Sequence, residues 1–109
     1  MAKYLAKAKF IAPDGVKGLI ADGGTARVEA VNALMASVGG RVESFYFALG
    51  EVDTYTVFDA PDAASATAVS LAVNASGLVT VELVALLTPQ EIDAAAKKIP
   101  EYDAPGPTA

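Results

Sequence analysis

The sequence predicts an α+β fold, in which one four-stranded antiparallel sheet carries helices on a single face. Three observations predict it. Stretches of period-two alternation, and stretches dense in β-branched and aromatic residues, mark four strands. Apolar stripes at helical spacing mark helices between them. The two kinds of segment follow the order strand, helix, strand, strand, helix, strand, with a further helix at the end. The 109 residues suffice for one such domain and are too few for two.

Lys3 to Ile11 alternates, with Tyr4, Ala6, Ala8 and Phe10 on one side and Leu5, Lys7, Lys9 and Ile11 on the other. That is the first strand. Pro13-Asp14-Gly15 makes a turn, and Pro13 or Asp14 opens a short helix bearing Val16, Leu19 and Ile20. Gly23-Gly24 interrupts it. Two adjacent glycines inside a helix cost about 1.5–2 kcal/mol relative to alanine, so a break is expected there. Thr25 is the expected cap of a second segment running to about Val38, with the stripe Val28, Val31, Leu34, Met35 and Val38. Gly39-Gly40 ends it.

Arg41 to Leu49 and Val52 to Ala60 form the second and third strands, a hairpin around a compact Gly50-Glu51 turn. Pro61-Asp62 opens a helix to about Ser76, with Ala66, Val69, Ala72 and Val73 facing inward and Gly77 closing it. Leu78 to Leu87 is the fourth strand. Thr88-Pro89-Gln90-Glu91 carries a helix-start signature, and this last helix runs to about Ile99 before Pro100. Residues 1–99 thus read as one domain and 100–109 as a flexible tail. The βαββαβ order is that of the ferredoxin-like sandwich, here with an extra C-terminal helix.

Composition narrows the chemistry. The chain is 53% hydrophobic, yet no apolar run reaches the ~18 residues of a membrane span. The apolar excess belongs in a core or in a subunit interface. A net charge of −5 opposes phosphate backbones, and the lysines form no basic stripe, so neither nucleic acid nor membrane is an expected partner. The chain has no Cys and no His. This removes disulfides, thiol catalysis, iron–sulfur clusters, the Ser-His-Asp triad, a proximal histidine for haem and the usual zinc sites, so no cofactor or metal is expected. Met1-Ala2-Lys3-Tyr4 leads straight into a strand pattern with no leader segment, which makes the cytoplasm the expected location.

One layer of helices covers one sheet face. The second strand nevertheless has large apolar side chains on both sides: Phe45, Phe47 and Leu49 against Val42, Tyr46 and Ala48. The fourth strand does the same, with Leu78 and Val84 against Val79, Val81, Leu83 and Ala85. The uncovered face therefore calls for a partner, most simply a second copy of the sheet. Alternation groups Phe45 and Phe47 with Arg41 and Glu43, charges that avoid a helix-packed core, and so assigns the Phe45 set to the uncovered face. Lys7 and Lys9 share one side of the first strand. In this topology they stand next to Glu82 on the fourth strand, either as an ion-pair layer fixing subunit register or as the polar wall of a cavity between sheets.

Three stretches carry a family resemblance. They are Gly15-Val16-Lys17-Gly18-Leu19 with Gly23-Gly24-Thr25-Ala26-Arg27; Phe45 to Asp53; and Leu71-Ala72-Val73-Asn74-Ala75-Ser76-Gly77. Together they resemble the GYD-domain family, small bacterial proteins of the dimeric α/β-barrel group, over about Tyr4 to Lys97. In the name-giving region this chain reads Gly50-Glu51-Val52-Asp53, with Val52 where the Gly-Glu-Tyr-Asp form has Tyr. A role for that hydroxyl does not carry over. The resemblance implies a fold and dimerisation, and no activity.

The candidate ligand-binding residues are Lys9, Glu43, Tyr46, Asp53, Tyr55 and Glu82. Asp53 reads first as a turn residue hydrogen-bonding the hairpin backbone, and otherwise as a carboxylate at a cavity mouth. Tyr46 and Tyr55 read first as packed rings with one partner for each hydroxyl. Asp59 and Asp62 read as caps beside a helix start, and Arg27 as a first-turn residue paired locally. Two functional readings stand. One is a homo-oligomeric, non-catalytic module that binds itself and a small apolar or aromatic ligand. The other is a cofactor-free enzyme of the monooxygenase, isomerase or decarboxylase type, with its cavity between paired sheets, its acid–base work falling to Asp, Glu, Lys or Tyr.

Overall fold

A computed structural model describes residues 1–107. The elements are β1 (Ala2–Phe10), α1 (Asp14–Asp22), α2 (Gly24–Ser37), β2 (Arg41–Phe47), β3 (Thr54–Ala60), α3 (Ala63–Ala75), β4 (Val79–Leu86) and α4 (Pro89–Ala96). The four strands form one antiparallel sheet in the order β2-β3-β1-β4. This is the expected α+β arrangement of the ferredoxin-like type.

The core lies between one face of this sheet and the helices. Ala6, Met35, Phe58, Ala60, Ala66 and Val69 are buried together. Tyr4, Val31, Leu34, Val38, Val42, Val73, Val81 and Leu83 pack around them. The apolar stripes of α2 and α3 thus meet the even-numbered side chains of β1 and β3. Phe58 is the one large side chain in this core that is fully buried, and its ring stacks on that of Tyr4 with centroids 5.5 Å apart. Ala72 stays exposed, one position off the α3 stripe that faces the sheet.

The Gly23-Gly24 break is present. Gly23 adopts φ +81°, a left-handed conformation that a side chain would strain, and it separates α1 from α2. Thr25 is not the cap. Gly23 takes that position without any side-chain bond, and Thr25 lies inside α2. A Cβ at Gly24 would stand 3.2 Å from the Phe47 ring, so a side chain there requires the ring to give by a few tenths of an ångström. Asp62 caps α3 by accepting from the Ser65 amide at 2.8 Å, and that bond holds its carboxyl below the ordinary carboxylate range.

Two expectations about the hairpin are corrected. Its connection is longer than a compact Gly50-Glu51 turn, because β2 ends at Phe47 and β3 begins at Thr54. The assignment of the Phe45 set to the uncovered face also fails. The pairing of β2 with β3 slips between Val42 and Ser44, where Val42 faces Phe58 and Ser44 faces Val57. One extra residue in the strand reverses the side-chain alternation beyond it. Phe45 and Phe47, opposite Thr56 and Thr54, therefore lie on the helix side with Val42. Their rings touch each other there, with centroids 5.3 Å apart.

Beyond β4 the chain leaves the sandwich. Every residue from Leu87 to Pro107 is exposed, and α4 buries none of its residues. The radius of gyration is 17.6 Å, against about 13 Å for a compact chain of this size. Among the described residues, no helix is long and apolar enough to cross a membrane.

Candidate functional site

The helix-free face of the sheet is built from odd-numbered positions of β1 and β3 and even-numbered positions of β4, which the register brings into rows. Arg41, Asp59, Lys3 and Leu86 form the first row across all four strands. Ser44, Val57, Leu5 and Val84 form the second, and Tyr46, Tyr55, Lys7 and Glu82 the third. Lys9 and Thr80 follow on β1 and β4. The middle row is the apolar band. The third row adds two aromatic rings, with Tyr46 71% exposed on the edge strand and Tyr55 38% exposed beside it.

The first row is an ion cluster. Lys3 Nζ lies 3.1 Å from Glu43 Oε2 and 3.1 Å from Asp59 Oδ1, and Arg41 lies 3.6 Å from Asp59 Oδ2. Asp59 is only 9% exposed, so its charge depends on these partners. The hydrogen bond from Lys3 holds its carboxyl below the ordinary carboxylate range, with Arg41 adding to the effect and burial opposing it. The hydrogen bonds to Glu43 and Asp59 in turn raise the Lys3 ammonium. Glu43 reaches this cluster from the irregular stretch of β2.

Three of the six expected site residues, Tyr46, Tyr55 and Glu82, share one row with Lys7. Glu43 sits two rows away in the ion cluster, and Lys9 stands opposite Thr80. Lys7 is the residue beside Glu82, but the ion pairs of the described residues involve Lys3 and Arg41 instead.

Asp53 does something else. Its carboxylate accepts the Phe10 amide at 2.7 Å, while its own amide donates to the Ala8 carbonyl at 2.9 Å and its carbonyl accepts from Ala48 at 2.8 Å. Its carboxylate bond runs to the neighbouring strand β1, while its carbonyl closes the hairpin connection on Ala48.

Its place before Pro61 predicts a cap for Asp59, but the structure gives it to the ion cluster instead. The signal for it was available once β1, β2 and β3 were paired, since an acid between two bases on one face is a cross-strand pattern. Arg27 has no local partner, and its Nε is buried without a hydrogen bond. It lines a cavity of about 80 Å3 between the sheet and α2–α3, together with Ala6, Ala30, Phe45, Val69 and Leu83. No group of three or more His, Cys, Asp or Glu suited to holding a metal occurs among the described residues.

No curated protein matches this chain. A crystal structure of a protein of unknown function from Nitrosomonas europaea is similar, at 24% identity and a TM-score of 0.41, covering 81% of this chain and 92% of that one. The GYD domain model matches residues 4–96, nearly the whole of the sandwich and α4, and the chain belongs to the GYD-domain family.

Proposed function

We propose that the protein is a homo-oligomeric small-molecule-binding or interaction module without catalysis, its subunits joined through the helix-free sheet face. One observation carries the reading: the apolar band Leu5, Val57 and Val84, flanked by the exposed rings of Tyr46 and Tyr55, lies on a face that no helix covers. A second copy suits this face because it carries both signs of charge. Lys3, Lys7, Lys9 and Arg41 lie there with Glu43, Asp59 and Glu82, so a two-fold pairing can oppose unlike charges at its rim while the bands meet at its centre. The thin core argues the same way, since burying each further large apolar side chain contributes about 1.5–3 kcal/mol.

The test is size-exclusion chromatography with light scattering on the wild type, Val57→Asp and Tyr46→Glu. The wild type is expected to exceed its monomer mass of 11.1 kDa. Both variants are expected to shift toward monomer, because each places a carboxylate in the joint. Tyr46 is exposed in the single subunit, so its variant keeps the fold, which far-ultraviolet circular dichroism verifies. A monomeric wild type at micromolar concentration overturns the reading, as does an unchanged Tyr46→Glu oligomer.

The enzyme reading draws on one row. Tyr46, Tyr55, Lys7 and Glu82 put two phenols, an ammonium and a carboxylate in a single cross-strand line facing any partner sheet. Turnover of an aromatic metabolite that is lost in Lys7→Met, with the oligomer intact, would favour it.

A further inference from the structure

The cavity between the sheet and the helices is the part of the molecule that assembly leaves unexplained. Small side chains line it, Ala6 and Ala8 on β1 and Ala30 on α2. Phe45, Val69 and Leu83 line it as well, with the two threonines Thr54 and Thr56. Its volume is about 80 Å3. An apolar cavity of about 150 Å3 stays dry and holds benzene, so this one has room for a short chain of carbons and not for a ring.

Arg27 is the one charged side chain that lines it. The Arg27 Nε has no hydrogen-bond partner and is shut off from solvent. Leaving a buried donor of a charged group unpaired is costly, more so than for a neutral group. Asp14 and Asp22 line the neighbouring pocket on the other side of Arg27, yet the ion pairs of the described residues do not include Arg27. One unpaired donor of the Arg27 guanidinium, a planar fork, thus stands beside a largely apolar hole. A carboxylate matches that fork, and a short aliphatic tail matches the hole.

We propose that this cavity is a binding site for a small aliphatic carboxylate, its head on the Arg27 guanidinium and its tail among Ala6, Ala30 and Val69. This deepens the small-molecule part of the proposed function and is independent of the oligomeric part. The cavity lies within one subunit, so the experiment below gives a result whether the protein is a monomer or an oligomer.

The probe is butyrate, titrated into the full chain and followed by methyl and arginine side-chain NMR. Saturable shifts are expected at the methyls of Ala6, Ala30 and Val69 and at the Arg27 Nε–H. Acetate, which has the charge without the tail, and 1-butanol, which has the tail without the charge, are expected to bind at least about tenfold more weakly, or ~1.4 kcal/mol. Arg27→Met should lose binding by a similar factor. Ala30→Leu should fill the hole and block the tail while the fold persists. Equal affinity for butyrate in the wild type and Arg27→Met overturns the proposal. So do equal shifts with 1-butanol, the absence of saturable shifts with butyrate, or shifts confined to the helix-free face.

Discussion

Asp53 shows how much one carboxylate can hold. Its Oδ2 accepts the Phe10 amide at 2.7 Å, a backbone donor at the end of β1 that would otherwise lack a strand partner. Asp53→Ala leaves that part-buried amide unpaired and is expected to cost about 1–3 kcal/mol. Asp53→Asn keeps an acceptor oxygen and should cost clearly less. Urea denaturation of the two variants measures the difference, and equal losses would mean that the bond is not the stabilising feature. The position was legible in the sequence as a hairpin residue, but its partner was not. The alternation of β1 shows which face Phe10 uses, while nothing in it says that the strand outruns its neighbour and leaves an amide to satisfy. A second residue-scale expectation concerns Asp59. Lys3 depresses its pKa, so its contribution to stability is fully present above the ordinary carboxylate value of 3.8 and is lost as pH falls through the depressed folded-state value. The gap in urea midpoint between wild type and Asp59→Asn should accordingly be constant near neutrality and close as the pH drops below that ordinary value.

At the scale of elements, strands and helices followed from periodicity, and their faces mostly did too. The stripes of α2 and α3 are read from spacing because a helix has few means of slipping phase short of a π-bulge, and the break at Gly23-Gly24 is itself a sequence signal. A strand has such a means. The irregularity between Val42 and Ser44 carries no glycine or proline to announce it, and it turns Phe45 and Phe47 from the uncovered face to the helix side. Glu43, the residue at the slip, stays on the face of Arg41 and reaches Lys3 there. The consequence is specific to Phe47. It is 42% exposed, but its ring abuts Gly24 at the head of α2. Phe47→Asp should therefore lower the stability of the single subunit, by about 1–3 kcal/mol for the lost apolar contact, and leave the mass in solution as in the wild type. Light scattering and thermal unfolding on the same sample separate the two effects; a lower mass without destabilisation would place Phe47 at a contact between subunits.

The molecule as a whole is a thin sandwich with an arm. The sandwich holds few large buried side chains, and the arm, from Leu87 to Pro107, holds none. Within that arm α4 is eight residues long, a length at which an isolated helix is marginal in water. What holds it is local. Thr88 Oγ1 accepts the Glu91 amide at 3.1 Å and Glu91 Oε1 accepts the Thr88 amide at 3.0 Å, a closed capping box, and Pro89 adds a fixed φ at the first turn. Thr88→Ala removes one of the two bonds and about 1 kcal/mol of helix stability, which is enough to fray a helix of this length. The sandwich should not notice. Its melting temperature is expected to stay within the small range of a surface substitution, equivalent to about 0.5 kcal/mol, while amide exchange across residues 89–96 accelerates. If the melting temperature falls along with α4 protection, the arm is seated against a surface, and Ile92 and Ile99 are the side chains through which it would be held.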